Sequence, residues 1–258
     1  MKKIIKLLFF TIFYCSVFQA QAQNNVPPSN TSNEPLEITA DESLEWQRNE
    51  KLFIARKNAV AKQGDVSIKA QTLTAHYRED SKTGHNTSGG MEISEITAQD
   101  DVVINAKDSE VYGRHAVYDL DKGVAVMTGD PGNRAKMIRY NARGQKNTLE
   151  SDKISATFKS NTQGRRVLHS VEAIGNVVIT TPAEIITGTY GIYRAESNKA
   201  ELTGGVTIKR GPNVLQGEKA EVDLNTNTSR MFGESATDST GTGRVRGIFY
   251  PNSDKKPE

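Results

Sequence analysis

The sequence contains a single cysteine and a single tryptophan in 258 residues. The cysteine, Cys15, lies inside an N-terminal segment that has the pattern of an export signal, so the exported chain would have none. Such a chain cannot form disulfide bonds or use a cysteine nucleophile. We therefore expect its stability to come from packing.

The residue patterns of common enzymes and metal sites are also missing. Neither an HExxH metal motif nor a GxSxG nucleophile elbow occurs. The four histidines are scattered, at His76, His85, His115 and His169. Adjacent acids such as Asp100 and Asp101 are more typical of turns than of a glycosidase pair. The sequence predicts a protein that is not an enzyme, with no catalytic residue, no metal and no cofactor.

The N-terminus accounts for the small excess of positive charge. The formal net charge is +2, but Lys2, Lys3 and Lys6 precede an apolar run of 12 residues and an A-x-A site at residues 20–22. Since roughly 20 apolar residues are needed to span a membrane, this pattern predicts a cleaved signal peptide over residues 1–22. The exported chain would have 30 basic and 31 acidic residues. With no basic patch interleaved with aromatics, we expect no nucleic-acid partner.

A repeat of 28 residues is the strongest pattern in the chain. Residues 102–129, 177–204 and 206–233 align without a gap. Their shared apolar columns are Ile104, Ile179 and Ile208; Val111, Ile186 and Leu215; Tyr118, Tyr193 and Val222; and Met127, Leu202 and Met231. Glycine recurs in two further columns, at Gly113, Gly188 and Gly217, and at Gly129, Gly204 and Gly233. A fixed period with fixed glycines indicates a repeat architecture.

Each repeat has the pattern of short β-strands joined by tight turns. Its apolar residues are two positions apart and are mostly β-branched or aromatic, as at Val102 and Ile104. One repeat cannot bury its apolar face, whereas stacked repeats share a continuous interior. The sequence therefore predicts an all-β, elongated protein built of stacked repeats of about 28 residues.

Weaker copies and polar segments complete the predicted organisation. A disordered linker is expected over residues 23–35, the repeat domain over residues 36–251 and a flexible tail over residues 252–258. Val60 is matched to Val102 in the first copy, which then needs one inserted residue, and residues 137–158 are the poorest copy. A long polar loop is expected at residues 80–90.

Several short motifs together resemble a known family. They are LEITADESLEW at residues 36–46, NAVAKQGDVSIKAQTLTAHY at 58–77, the paired GRHAVY and GEKAEV, the glycine-closed MTGD and LTGG, and RVRGIFYP near the C-terminus. In this order, and with an export signal, they resemble the periplasmic lipopolysaccharide-transport family of the LptA/OstA type.

The resemblance implies a fold, a ligand and partners. It implies a β-jellyroll opened along one side, whose apolar interior holds the acyl chains of lipopolysaccharide in the periplasm. It also implies open sheet edges that pair head to tail with further copies. Partners of the same fold would stand at the two ends, one anchored in the inner membrane and one in the outer-membrane translocon.

Fourteen residues form the predicted interior, in which acyl chains would bind. They are Trp46, Phe53, Val66, Ile68, Leu73, Val102, Ile104, Val111, Tyr118, Met127, Ile179, Ile186, Tyr193 and Leu202. The alternative for each is an ordinary packed core. For the whole protein, the alternatives are the membrane-anchored partner of the same fold, a structural scaffold with a dry interior, and a carbohydrate-active β-solenoid enzyme.

Overall fold

The described part of the chain is all-β and contains sixteen strands. The computed structural model describes residues 35–79, 91–106, 109–140, 144–162, 166–226, 228–233 and 243–250. The strands are β1 (Glu37–Thr39), β2 (Ser43–Gln47), β3 (Leu52–Gln63), β4 (Val66–Glu79), β5 (Met91–Ala106), β6 (Ser109–Asp119), β7 (Val124–Thr128), β8 (Ala135–Tyr140), β9 (Lys146–Ser151), β10 (Lys153–Ser160), β11 (Arg166–Thr180), β12 (Ile185–Arg194), β13 (Lys199–Arg210), β14 (Asn213–Asp223), β15 (Thr228–Phe232) and β16 (Arg246–Ile248). In the described part of the chain, no helix is long and apolar enough to cross a membrane.

The strands form one antiparallel sheet that folds into two layers. Strands β3, β4, β5, β6, β11, β12, β13 and β14 bend near their middles and run through both layers. Layer 1 is completed by β1, β8, β9 and β16, and layer 2 by β2, β7, β10 and β15. Each layer therefore has twelve antiparallel segments and, at about 4.8 Å between strands, a length of roughly 50 Å.

Paired left-handed residues make the bend, which we call the corner. Four long strands carry two consecutive residues with positive φ there, and the neighbouring strand has a single residue opposite. The pairs are Lys57 and Asn58, Asp100 and Asp101, Gly175 and Asn176, and Gly204 and Gly205. Two residues against one is a β-bulge, which bends a strand sharply. The bulges are in line from strand to strand, so the whole sheet folds along them.

The hairpin turns lie at the opposite edges of the two layers, which we call the lips. The turns at residues 64–65, 181–184 and 211–212 belong to the lip of layer 1. Those at residues 48–51, 120–123 and 195–198 belong to the lip of layer 2. We call the gap between the lips the mouth. Among the described residues, no strand pairing joins one lip to the other.

One 28-residue repeat is one complete rung of this structure. It begins in layer 1, turns at the lip, crosses the corner on a long strand, turns at the other lip and returns through layer 2. The first column (Val102, Val177 and Val206) and the glycine column after it lie next to the corner in layer 1. The predicted stacked β-repeat is confirmed, and each rung adds two segments to each layer.

The alignment of the first copy was wrong by one residue. Ala59, and not Val60, occupies the position of Val102, because the left-handed pair Lys57 and Asn58 corresponds to Asp100 and Asp101. Ala59 is fully buried, whereas Val60 lies on the outer face between Thr39 and Lys69. With this start, Ile68 and Leu73 fall in their columns without an insertion.

The segment predicted as the poorest copy is a complete rung with longer hairpins. Strand β8 starts it in layer 1, β9 returns to the corner, and β10 continues in layer 2 after Asp152. Extra residues in the two turns had hidden the period. The predicted signal peptide, the long loop at residues 80–90, the tail and nearly all of the linker lie outside the described residues.

Candidate functional site

A continuous apolar row runs along the inside of layer 1. Eleven strands contribute one residue each, and cross-strand register joins each residue to the next. This middle row consists of Ile38, Ala61, Ile68, Ile104, Val111, Met137, Leu149, Ile179, Ile186, Ile208 and Leu215. No charged or hydrogen-bonding side chain interrupts it.

Layer 2 presents a matching middle row. It consists of Trp46, Phe53, Ala75, Ile96, Tyr118, Ala125, Ala156, Val171, Tyr193, Ala200 and Val222. The bulky members of layer 1 therefore face many alanines and a few aromatic rings. The two rows give the interior an apolar lining over almost its full length.

Smaller residues lie in the corner row, the interior row next to the bend. In layer 1 this row pairs Ala59 with Ala70, Val102 with Gly113, Ala135 with Ser151, Val177 with Gly188 and Val206 with Gly217. Ser151 is fully buried, and its hydroxyl donates a hydrogen bond of 2.9 Å to the carbonyl of Lys153. The one polar side chain of this corner row, that of Ser151, therefore has a hydrogen-bond partner.

All fourteen predicted interior residues lie on the inner faces of the layers. Ile68, Ile104, Val111, Ile179 and Ile186 are in the middle row of layer 1, and Trp46, Phe53, Tyr118 and Tyr193 are in that of layer 2. Val102, Leu73, Met127 and Leu202 are in the corner rows, and Val66 lies near the lip of layer 1. Contact between these residues and a lipid stays a prediction.

Several lining residues were missing from the predicted set. Ile208 and Leu215 stand in the same repeat columns as Ile104 and Val111, so the alignment alone would have placed them in the predicted interior. Met137 was hidden by the long hairpins of its rung, and Leu149, one of the clearest apolar positions of the poorest copy, was left out of the set. Ile96 could not be found because the 80–90 segment separates it from the rest of its repeat.

The interior is tightly closed near the N-terminal rungs and more accessible beyond them. Ile68, Leu73, Ile96 and Tyr118 are buried, together with the alanines around them. From Val171 to Val222 the middle row of layer 2 is only half-buried. A small apolar pocket of about 10 Å³ lies between Leu36, Ile38, Phe53 and Ile96 at the closed end, too small for an acyl chain.

Among the described residues, Tyr118 is the one buried polar side chain without a hydrogen-bond partner. It is 4% exposed, and its ring packs edge-on against Phe158 with centroids 6.2 Å apart. Within the described residues its hydroxyl has no hydrogen-bond partner. Burial raises the pKa of this hydroxyl, and the nearby Arg166 guanidinium offsets part of the rise.

An aromatic stack stands at the N-terminal end of the interior. Trp46 stacks on Phe53 at 5.5 Å, and its indole nitrogen donates a hydrogen bond of 2.9 Å to the hydroxyl of Tyr77. The Arg48 guanidinium lies 4.2 Å from the centre of the Trp46 ring. Trp46 is nevertheless 47% exposed, because no strand covers β2 on its outer side in the described structure.

The two ends of the sheet differ in charge. The described residues 35–50 contain Glu37, Asp41, Glu42, Glu45 and Glu50 against one basic residue, Arg48. Residues 228–233 and 243–250 contain three arginines and no acid, and the sequence between them contains Glu234 and Asp238. Large apolar residues are exposed at both ends, Leu44 and Trp46 at the first and Phe232, Phe249 and Tyr250 at the second. No group of residues suited to hold a metal ion occurs among those described.

The fold and the interior together define a class of protein. It is an open, folded β-sheet of stacked rungs, related to the β-jellyroll, with an apolar lining along its length. Residues 37–162, just under half of the chain, match the family model described as LptA/(LptD N-terminal domain) LPS transport protein. The strands after this region continue both layers in the same order.

Other comparisons are weaker. The chain is similar to LptH, the LptA-homologous periplasmic component of the lipopolysaccharide transport device of Pseudomonas aeruginosa, with 12% identity. The match covers 84% of this chain and 96% of that one, with a TM-score of 0.23, which is too low to compare the two folds in detail. The search of curated proteins found no match.

The family match confirms the resemblance that the sequence motifs indicate. Over residues 37–162 the chain matches the LptA-like family of lipopolysaccharide-transport proteins, a family of transport proteins and not of enzymes.

Proposed function

We propose that this protein is a periplasmic bridge subunit that binds lipopolysaccharide and carries it from the inner to the outer membrane. The acyl chains would lie between the two middle rows, and copies would join head to tail so that the lining continues from one molecule to the next. The observation that carries the proposal is the unbroken apolar lining of both layers.

The physical need for such a lining is large. Each methylene exposed to water costs about 0.8 kcal/mol, so an acyl chain of about twelve carbons costs on the order of 10 kcal/mol. A lipid that crosses an aqueous compartment therefore needs an apolar surface at every point of its path. The half-buried residues from Val171 to Val222 have apolar area available for this purpose.

Strand direction supports the joining of copies. Each layer has an even number of segments in strict antiparallel order, so its first and last segments run in opposite directions. A second copy whose β2 lies beside β15 would therefore pair antiparallel, and its β1 would do the same beside β16. Such edge pairing is a known mode of β-sheet recognition, and the short edge strands leave backbone groups available for it.

Charge and exposure support the same arrangement. The acidic N-terminal end would meet the arginines of the C-terminal end of the next copy. Trp46 and Leu44 would be covered by the exposed apolar residues of that end. Membrane-attached transport proteins of the same fold would occupy the places of neighbouring copies at the two ends of a filament.

A photo-crosslinking amino acid at Ile208 tests the groove, with Thr207 as the matched control. Ile208 is in the middle row, and Thr207, its neighbour on β13, points to the outer face. In a Gram-negative host we expect lipopolysaccharide adducts at position 208 and none at 207. Equal labelling at both positions, or no adduct at 208, 193 and 118 in an exported and folded protein, would favour a dry scaffold.

A further inference from the structure

Positive charge is concentrated in one rung in the middle of the molecule. Between residues 131 and 171 the sequence has nine basic residues and two acidic ones, although the whole chain has a formal net charge of only +2. This rung is built from β8, β9, β10 and the first half of β11. A local excess of this size favours an anionic partner.

The two acidic residues of the rung, Glu150 and Asp152, both lie at the corner and already have partners. Glu150 accepts ion pairs from Lys136 at 2.8 Å and Arg134 at 3.3 Å. Asp152 accepts hydrogen bonds from the side chain of Asn176. Among the described residues of the rung, Arg139, Lys146, Lys159 and Arg166 form no ion pair with these two acids, and all four lie toward the lips.

Two arginines stand at the lips on the inner faces of the layers. Arg139 is two residues after Met137 on β8, and Arg166 is two residues before Leu168 on β11, so each shares the face of an interior residue. They belong to the same rung and to opposite lips. Among the described residues neither has a carboxylate within ion-pair distance. Lys146 and Lys159 are exposed on the same two lips.

At other described positions of the lips, basic side chains are paired with acids. Arg210 has the equivalent position on β13, but Glu184 pairs with it at 3.0 Å. On the neighbouring part of the layer 2 lip, Asp121 pairs with Arg78 and Asp119 with Lys122, both at 2.7 Å. Nearby acids are thus engaged elsewhere and do not neutralise Arg139 or Arg166.

A buried polar group lies beside the same place. The Arg166 guanidinium lies against Gly123, in the turn that follows β6, and near the hydroxyl of Tyr118. That hydroxyl is buried and unpartnered in the described structure, and a buried unpaired hydroxyl is costly unless a ligand satisfies it. Below it are Phe158, Ile154 and the apolar rows. The middle rung is therefore apolar in the interior and cationic at the mouth.

We propose that the middle rung holds a phosphate group of the lipid headgroup between Arg139 and Arg166, with the Tyr118 hydroxyl as a further hydrogen-bond donor. Guanidinium groups match phosphate oxygens in charge and in geometry. The site would fix the headgroup at the mouth while the acyl chains lie in the interior, and it rests on the proposed function.

The test compares lipopolysaccharide with the same material after removal of its phosphates. Each is used to displace an uncharged fluorescent apolar probe from the full-length exported protein. We expect the phosphorylated lipid to displace the probe at a concentration roughly tenfold or more lower, which is the effect of about one charged hydrogen bond. The double variant Arg139→Gln with Arg166→Gln should lose this ratio and keep its affinity for the uncharged probe.

Three controls make the result specific. Arg210→Gln, which removes a paired arginine from the same lip row, should keep the ratio, and Tyr118→Phe should reduce it. A ratio that persists in the double variant, or that is absent in the wild type, overturns the phosphate site. If inorganic phosphate abolishes the preference at the same concentration as the lipid, the assignment to a headgroup is wrong. If neither lipid displaces the probe, the result would instead contradict the proposed function.

Discussion

At the scale of single residues, the interior alternates large side chains with very small ones. A Cβ at Gly113 would come 2.7 Å from Cγ of Met127 and 2.8 Å from the carbonyl oxygen of Thr128. Gly217 has the same relation to Met231, whose Cγ would be 2.6 Å away. At Gly113 and Gly217 a methionine from the adjoining strand thus fills the space that a side chain would need, whereas at Gly188 the corresponding Leu202 is 3.9 Å away.

We predict that Gly113→Ala is destabilising and that Gly191→Ala is not. At Gly191 an added Cβ would make ordinary contacts, the nearest at 3.7 Å from Cγ of Leu202. Overpacking at Gly113 should lower the free energy of unfolding by about 1–3 kcal/mol, whereas Gly191→Ala should change it by less than about 1 kcal/mol. Urea unfolding followed by Trp46 fluorescence measures both, and equal losses would contradict the packing explanation.

The residue columns show how far the sequence could predict the site. Period-two spacing and the 28-residue alignment place Ile104, Ile179 and Tyr118 on the inner face correctly, because burial imposes that spacing on every rung. They misplaced Val60, because it resembles the opening valines of the other copies, whereas the equivalent buried position here is occupied by Ala59. Arg139 and Arg166 also escaped notice, because their role depends on two lips that are adjacent only after the sheet folds.

At the scale of elements, the corner is what turns one sheet into two layers. Gly204 and Gly205 make the bend in β13 with φ of 85° and 66°. The hydroxyl of Thr189 on β12 donates to the carbonyls of Thr203 at 3.3 Å and Gly204 at 3.0 Å. The bend was not predicted from the sequence, because asparagine, aspartate, lysine and glycine all occur in it and share no pattern.

The two glycines of this bend should respond differently to alanine. A Cβ at Gly204 would collide with the side chain of Thr189, whereas one at Gly205 would meet no atom within 4 Å. Gly205→Ala should therefore cost about 1–2 kcal/mol, the strain of a left-handed residue with a side chain. Gly204→Ala should cost about 1–3 kcal/mol more, because overpacking is added.

Thermal and urea unfolding of the two variants measure this difference. A third variant, Thr189→Ala combined with Gly204→Ala, should recover part of the loss, since it removes the hydroxyl that the new Cβ would meet. Equal stability of the Gly204→Ala and Gly205→Ala proteins would show that Thr189 moves away without cost.

At the scale of the whole molecule, the two ends determine whether copies can join. The N-terminal end is acidic with Trp46 half exposed, and the C-terminal end is basic with Phe249 69% exposed. Hydrogen bonds from Arg56 and Gln47 lower the pKa of Glu45. Because this carboxylate stays ionised below its usual range, mild acid should not remove its contribution to the acidic end.

We predict that charge reversal at the C-terminal end prevents association. The double variant Arg230→Glu with Arg246→Glu would place like charges opposite the acidic end, and it should weaken association by roughly tenfold or more. Arg194→Glu, away from both ends, should not. Sedimentation velocity measures the assembly, and a blue shift of Trp46 emission with rising protein concentration reports burial of the N-terminal end.

Two results would count against this arrangement. Association of the double variant as strong as that of the wild type would remove the C-terminal arginines from the interface. Assembly of the wild type without any change in Trp46 emission would mean that copies meet through another surface, because Trp46 is the only tryptophan in the chain.

Because each layer has an even number of segments, the length of the molecule can change without changing how its ends pair with a neighbour. A whole rung contributes two segments to each layer, so gaining or losing one moves the ends apart or together without changing the direction of either edge. Half a rung would reverse one edge and leave it unable to continue the sheet antiparallel. Molecules of this design can therefore differ in span by steps of about 10 Å and still fit the same neighbours.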